Sequence, residues 1–264
     1  MHRRNLVAST VLALSAALTL TATSADAADA APASQARAGS YTVTADVNKT
    51  EPESGQKVTI TGTVKPAAPG AQVRVQVRYA GQKTWKTLGQ ARLSRSGSYR
   101  FKDQVTSVRE RRYRVVKPAD ARRAQGTART AKVTVFGWRD LTSIGAVPGG
   151  TLYEGGGATI AGSHYPSSLR GGNQTASSAI EFNLNRDCKT LDATVGIDDA
   201  SASGSSATLT LAADGTQRFQ GTFGLAQAQH VVSDVTGVFR ISLSATQTGG
   251  AYAAVGSPKV LCSF

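Results

Sequence analysis

Between Lys189 and Gly215 the chain reads KTLDATVGIDDASASGSSATLTLAADG, and its apolar residues fall on every second position. In an extended strand alternate side chains share one face, so Leu191, Ala193, Val195 and Ile197 form one apolar row. Leu209 and Leu211 repeat the pattern after a loop of small residues. The stretch reads as two adjacent strands of one sheet, and Asp214-Gly215 then supplies a hairpin turn. Cys188 heads this unit, and the other of the two cysteines, Cys262, lies near the last residue. Everything after Trp138 reads as a sheet structure closed around that pair.

The cysteines gain meaning from the N-terminus. Arg3-Arg4, an apolar run from Leu6 to Leu20 and Ala25-Asp26-Ala27 follow the charge, core and small-residue order of a secretory signal peptide, with cleavage expected after Ala27. The run is short of the roughly 20 residues that cross a bilayer, so no transmembrane segment is expected. Export to an oxidising compartment makes Cys188 and Cys262 a disulfide, worth roughly 4 kcal/mol for so long a loop in the chain-entropy model. Residues 28–39 are Ala-, Pro- and Ser-rich without periodicity and read as a disordered spacer.

Charge divides the rest. Residues 37–139 hold 22 Lys and Arg against 6 Asp and Glu, whereas residues 140–264 hold 6 against 9. The formal net charge of +13 therefore belongs to one domain, expected over 40–137, followed by a second over 138–264. In the basic part, short alternating segments recur at turn-marked intervals: Tyr41 to Val47, Val58 to Val64, Val73 to Tyr79, Ser98 to Lys102, Arg112 to Lys117 and Ala131 to Phe136. About seven strands without a helix pattern predict an antiparallel sandwich, with Trp85 and Tyr113 in or at the edge of its core. With Val73, Val75 and Val77 inward, Arg74 and Arg78 face solvent, and Arg109, Arg111, Arg112 and Arg114 add to them. Such a face suits anionic cell-wall polymers, or serves solubility alone. Nucleic acid is disfavoured as a partner, because no aromatics interleave with the arginines for base stacking.

The second part is also all strand and loop. Ala158–Gly162, Ala179–Leu184, Leu191–Ile197, Ala207–Ala212, Arg218–Phe223, His230–Val235, Val238–Ala245 and Lys259–Cys262 alternate, which suits a jelly roll. Gly and Ser clusters at 148–157, 170–173 and 201–206 predict long loops. Hydrolase signatures are missing: His164 and His230 lie in no H-E-x-x-H motif, and no G-x-S-x-G elbow occurs. A carboxylate pair that meets only in the fold is not readable from spacing. Sugar recognition needs an aromatic platform and a few planar polar groups. Trp138, Tyr153, Glu154, Tyr165, Arg170, Asn173, Gln174 and Tyr252 supply them. Asp198-Asp199 carries two readings, a structural calcium site or carboxylates that satisfy backbone donors at a strand end. No cofactor is required by the sequence, and structural calcium is the one the first reading would add.

Two resemblances add to this. Gly55-Gln56-x-Val58-Thr59-Ile60-Thr61-Gly62-Thr63-Val64, then Trp85, Gly97-Ser98-Tyr99-x-Phe101 and Tyr113-Arg114-Val115, resemble the bacterial immunoglobulin-like domains of secreted actinobacterial proteins. That resemblance implies a spacer or presenting module. Cys188-x-x-Leu191-x-Ala193-x-Val195-Gly196-Ile197-Asp198-Asp199, the Asp214-Gly215 turn and Asp234-Val235-Thr236-Gly237 resemble the NPCBM family of carbohydrate-binding modules, related to galactose-binding-like jelly rolls. Gly137-Trp138-Arg139-Asp140-Leu141, Ile160-Ala161-Gly162-x-x-Tyr165 and Ala176 to Phe182 look like that family's opening strands. Where the family often has His before the alanine matching Ala176, this chain has Thr175. The resemblance implies a secreted, noncatalytic protein that docks on cell-wall or environmental polysaccharide. The alternative is an extracellular protein-interaction or wall-associated factor that holds polyanions through its basic first domain.

Overall fold

The computed structural model describes residues 39–172 and 176–264, with 153–155 described by their backbone alone. The expected signal peptide and nearly all of the expected spacer lie outside the described residues. Among the described residues no helix is long and apolar enough to cross a membrane.

The first sandwich has eight strands: β1 (Thr42–Val43), β2 (Asp46–Val47), β3 (Lys57–Lys65), β4 (Gln72–Tyr79), β5 (Lys86–Arg92), β6 (Ser98–Gln104), β7 (Arg111–Lys117) and β8 (Gly126–Arg129). One sheet is built on β3, which pairs with β1 and β2 along one edge and β6 along the other; the second runs β5-β4-β7-β8. Val58, Ile60 and Val64 of β3 meet Val73, Val75 and Val77 of β4 in one core, with Tyr113 fully buried among them. The Tyr113 hydroxyl is kept satisfied there by donating to Asp103 at 2.7 Å, which offsets its desolvation. Two expectations need correction. Ala131–Phe136 forms no continuous strand: Val133 exchanges backbone bonds with Arg111 at the start of β7 and Phe136 bridges to Glu53 on the other side, so the segment changes partners within four residues while its valines enter the core. Trp85 precedes β5, half-buried, and is not among the core residues, because arginines of the outer sheet face cover it instead.

The chain enters the second sandwich without a linker. Glu53 and Phe136 bridge at the junction, Lys189 pairs with Glu51, and the Lys189 ammonium lies 4.3 Å from the Phe136 ring centroid. The strands are then β9 (Gly137–Asp140), β10 (Leu152–Gly155), β11 (Ala158–Ile160), β12 (Ser163–Tyr165), β13 (Ser168–Gly171), β14 (Ser177–Asn183), β15 (Cys188–Ile197), β16 (Ser206–Ala213), β17 (Thr216–Gly224), β18 (Ala228–Asp234), β19 (Arg240–Thr248) and β20 (Ala253–Cys262). A six-stranded sheet runs β10-β13-β20-β15-β18 with β9 also on β20; a four-stranded sheet runs β14-β19-β16-β17. Their apolar faces enclose the core that holds Leu191, Val195, Ile197, Leu209, Leu211 and Leu243. The result is an all-β chain in which an immunoglobulin-like sandwich precedes a jelly-roll sandwich.

The Leu191–Ile197 and Leu209–Leu211 rows are strands, as their period requires, but they are not neighbours in one sheet. β15 belongs to the six-stranded sheet and β16 to the other, and the rows face each other across the core. Alternation fixes which face is apolar and leaves the pairing partner open. The Asp214-Gly215 hairpin forms as expected, joining Ala213 to Thr216 with both turn residues at positive φ, 45° and 78°. Asp214 also accepts from the Phe239 and Arg240 N–H groups at 3.1 and 2.9 Å, and these bonds hold its carboxyl below the usual range.

Cys188 and Cys262 are disulfide-bonded, 74 positions apart, directly opposite each other on β15 and β20. Replacing both by Ala is expected to cost about 4 kcal/mol of unfolding free energy in urea titrations, the scale for closing so long a loop. A variant as stable as the parent would show that strand pairing alone closes the domain.

Candidate functional site

Between the two sheets of the second sandwich the free space is about 10 Å³, lined by Leu191, Val195, Leu209, Phe219 and their neighbours. A sugar ring needs far more room than that, so ligand groups must act from the surface.

The outward face of the six-stranded sheet follows from the register. Leu191, Ala193, Val195 and Ile197 point into the core, so Asp192, Thr194, Gly196 and Asp198 of the same run point out. On β20 the outward residues include Ala254, Gly256 and Lys259, paired with Gly196, Thr194 and Asp192. The β11–β12 hairpin lies over the small residues. Ile160 packs with Ala158 and Ala254, and a Cβ placed on Gly196 would stand 2.5 Å from Ile160. The Tyr165 ring lies flat on Gly256, where an added Cβ would come within 2.4 Å of it. Tyr165 is therefore a packing residue, its face spent on β20.

At one end of this face three expected residues meet. Arg170 of β13 pairs with Ala254 of β20, and its guanidinium stands 4.0 Å over the Tyr252 ring while its Nε lies 3.3 Å from Asp198 Oδ2. That Nε is enclosed and not aligned to donate, so the contact with Asp198 is ionic in character. The Arg170 side chain keeps 33% of its surface in solvent, whereas that of Asp198 keeps 9%. Asp198 is further tied down: Oδ1 accepts from the Ala200 N–H at 2.8 Å, and its backbone N–H donates to the Tyr252 carbonyl at 2.9 Å. Ser201 joins the same turn, its hydroxyl donating to the Asp198 carbonyl and accepting from the Tyr252 N–H. The backbone register places Tyr153 of β10 opposite Arg170.

The carboxylates of Asp198 and Asp199 are both engaged by the protein. Asp199 accepts from the Ala161 and Gly162 N–H groups at 3.0 and 2.8 Å, which pins the β11–β12 turn to the start of the 198–205 loop. This donor set matches the turn-capping reading, with both Asp199 oxygens occupied by backbone and Asp198 by Arg170 and Ala200. Among the described residues no group of three or more His, Cys, Asp or Glu could hold a metal ion.

Trp138 stands elsewhere. On β9 it pairs with Leu261, seven residues along β20 from Ala254, which separates it from Arg170 by roughly 20 Å at strand rise. It is 44% exposed, with the Lys259 ammonium 5.1 Å from its ring centroid. Lys259 and His230 both reach Asp192, at 3.8 and 3.1 Å, and Val232 lies 59% exposed beside them. Sequence reasoning missed this group because Asp192, His230 and Lys259 are far apart in the chain. Only their outward parity on three strands could have signalled it.

Two loop assignments are also corrected. Tyr153, Glu154 and Arg170 lie on β10 and β13, not in glycine-rich loops, because each short segment gains a partner ladder that composition does not reveal. Asn173, Gln174 and Thr175 lie outside the described residues. In the first sandwich Arg111 is 3% exposed, and its side chain donates to the Ser107 and Arg109 carbonyls, so it is structural and no part of an anion-binding face. Arg109 stacks on Tyr79 at 5.4 Å.

The fold and this surface define a two-sandwich, disulfide-closed protein with a braced polar cluster at one end of a sheet and a second polar cluster at the other. The NPCBM/NEW2 domain family matches residues 132–255, which covers the second sandwich from just before β9 to the first three residues of β20. Among solved structures the chain is similar to CBM51 from Clostridium perfringens GH95 in complex with methyl-galactose, at 15% identity and TM-score 0.38, over 47% of this chain and 99% of that one. It is also similar to the PKD domain from human KIAA0319, at 17% identity and TM-score 0.23, over 40% of this chain and 89% of that one. Comparison with curated proteins gives no match.

Removing the Tyr165 ring tests its assignment as packing. Tyr165→Ala is expected to cost about 2 kcal/mol in urea unfolding, below the roughly 3–5 kcal/mol of a fully buried aromatic because the ring is only partly buried. Unchanged stability would show an idle ring, free to stack on a ligand.

Proposed function

We propose that the protein is an exported, noncatalytic carbohydrate-binding protein whose second sandwich docks on neutral polysaccharide of a cell wall or of the surroundings. The observation that carries this reading is the Arg170–Tyr252–Asp198 group. A guanidinium over a ring and beside a nearly buried carboxylate, with a third of its side-chain surface in solvent, can present its terminal N–H groups to a ligand in a restrained orientation. Planar donors of this kind match the paired hydroxyls of a pyranose, and their preorganisation lowers the entropy lost on binding. The match of residues 132–255 to the NPCBM/NEW2 domain supports the same reading. Export is supported by the order of residues 3–27, which has the pattern of a signal peptide. Binding needs no cofactor in this proposal.

A glycan array probed with the full chain, in calcium and in EDTA, tests it. The expected result is saturable binding to one neutral glycan class in both conditions. Arg170→Ala should weaken it about tenfold, the scale of losing one hydrogen bond from a charged group, and Trp138→Ala should leave it unchanged. Silence across the array would overturn the reading. Binding that calcium restores after EDTA would assign a metal to the Asp198 region.

A further inference from the structure

The outer face of β4, β7 and β8 gathers arginines around one indole. Arg78, Arg114 and Arg129 place their guanidinium carbons 4.9, 4.6 and 5.8 Å from the Trp85 ring centroid. The register explains the convergence: Arg78 lies opposite Arg112, and Arg114 lies opposite Arg129, so all four side chains leave the same sheet face. None of the four has a carboxylate partner among the described residues. Five of the six acids in residues 37–139 are used elsewhere: Asp103 by Tyr113 and Arg111, Glu110 by Lys132, Asp120 by Tyr41, Glu51 by Lys189 and Asp46 by the Val47 N–H.

Stacking on an indole engages the flat side of a guanidinium and leaves its edge N–H groups unspent. Of the edge donors, the Arg114 Nε–H is committed to Gln76 Oε1, at 2.8 Å. Burial, then the neighbouring charges of Arg129 and Arg78, push the Arg114 guanidinium below its ordinary value. The array is therefore held together by a neutral ring against its own repulsion, and an oxyanion laid across it would remove that repulsion while accepting the free N–H groups.

We propose that this face is a binding site for an extended polyanion bearing phosphate or sulfate esters, with Trp85 as the scaffold and Arg78, Arg112, Arg114 and Arg129 as the ligands. Three strands about 4.8 Å apart set the backbones of these arginines over roughly 10 Å, and four cations on one face exceed what one tetrahedral anion can engage, which suits successive esters of a chain. Flat guanidinium forks match such esters two oxygens at a time. A nucleic acid fits less well, since the arginines already occupy the indole on which a base would stack. The site lies in the first sandwich and is independent of the carbohydrate reading of the second.

The test measures binding of the full chain to dextran sulfate, poly(glycerol phosphate), polygalacturonate and a single-stranded oligonucleotide of matched charge. One triple variant, Arg78→Gln, Arg114→Gln and Arg129→Gln, removes three charges from this face. A second, Lys57→Gln, Arg100→Gln and Lys102→Gln, removes three exposed charges from the opposite sheet. The expected result is tighter binding to one or both ester polymers than to the carboxylate polymer, and which ester wins identifies the source. The first variant should weaken it at least about tenfold and flatten its salt dependence, the second less than about threefold. Equal losses in the two variants would overturn the proposal by reducing it to net charge, as would absence of binding or a preference for the oligonucleotide. Unfolding curves matching the parent confirm that neither variant acts through folding.

Discussion

The pairing of β15 with β20 is the constraint on which the second sandwich depends. It runs from Cys188 opposite Cys262 to Ile197 opposite Ala253 and is tied at one end by the disulfide. β9 and β13 attach to β20, and β18 attaches to β15, so their positions derive from this one register. A slip of one residue would exchange Val195 for Gly196 in the core and turn Asp192 and Asp198 inward. The same register sets Arg170 beside Ala254 at one end of the outer face and Trp138 beside Leu261 at the other.

Small residues on β15 and β20 decide how that face is used. Gly196, Ala254 and Gly256 let the β11–β12 hairpin and Tyr165 lie directly on the sheet. This divides the surface into a covered middle and two open ends. At one end Arg170 is braced by Tyr252 and Asp198; at the other Lys259 and His230 share Asp192 beside Trp138. Bracing makes the first end the better-organised of the two polar groups. A nearly buried Asp198 is compensated by the cation and by backbone donors, so losing either partner would leave an unpaired charge.

The all-β class, the disulfide partners, the hairpin at Asp214-Gly215 and the charge division were legible in the sequence, because alternation, cysteine count and turn chemistry are local signals. Sheet membership was not, since β15 and β16 carry the same alternating pattern whether they pair or face each other across a core. The site was legible in part. Arg170, Tyr252 and Asp198 were each picked by residue type, but their meeting depends on β13 and β20 pairing, which no local pattern records. Tyr165 and Trp85 were misread for the same reason: their roles are set by Gly256 and by the arginines of β4, β7 and β8, all remote in sequence.

The most direct measurement of the central claim is amide chemical-shift mapping of the full chain titrated with the glycan class that binds. Perturbations are expected to concentrate at Arg170, Asp198 and residues 251–254, with the amides of Trp138 and Val232 unmoved. Perturbations centred on Trp138, Asp192 and Val232 would contradict it and move the sugar to the opposite end of the same sheet.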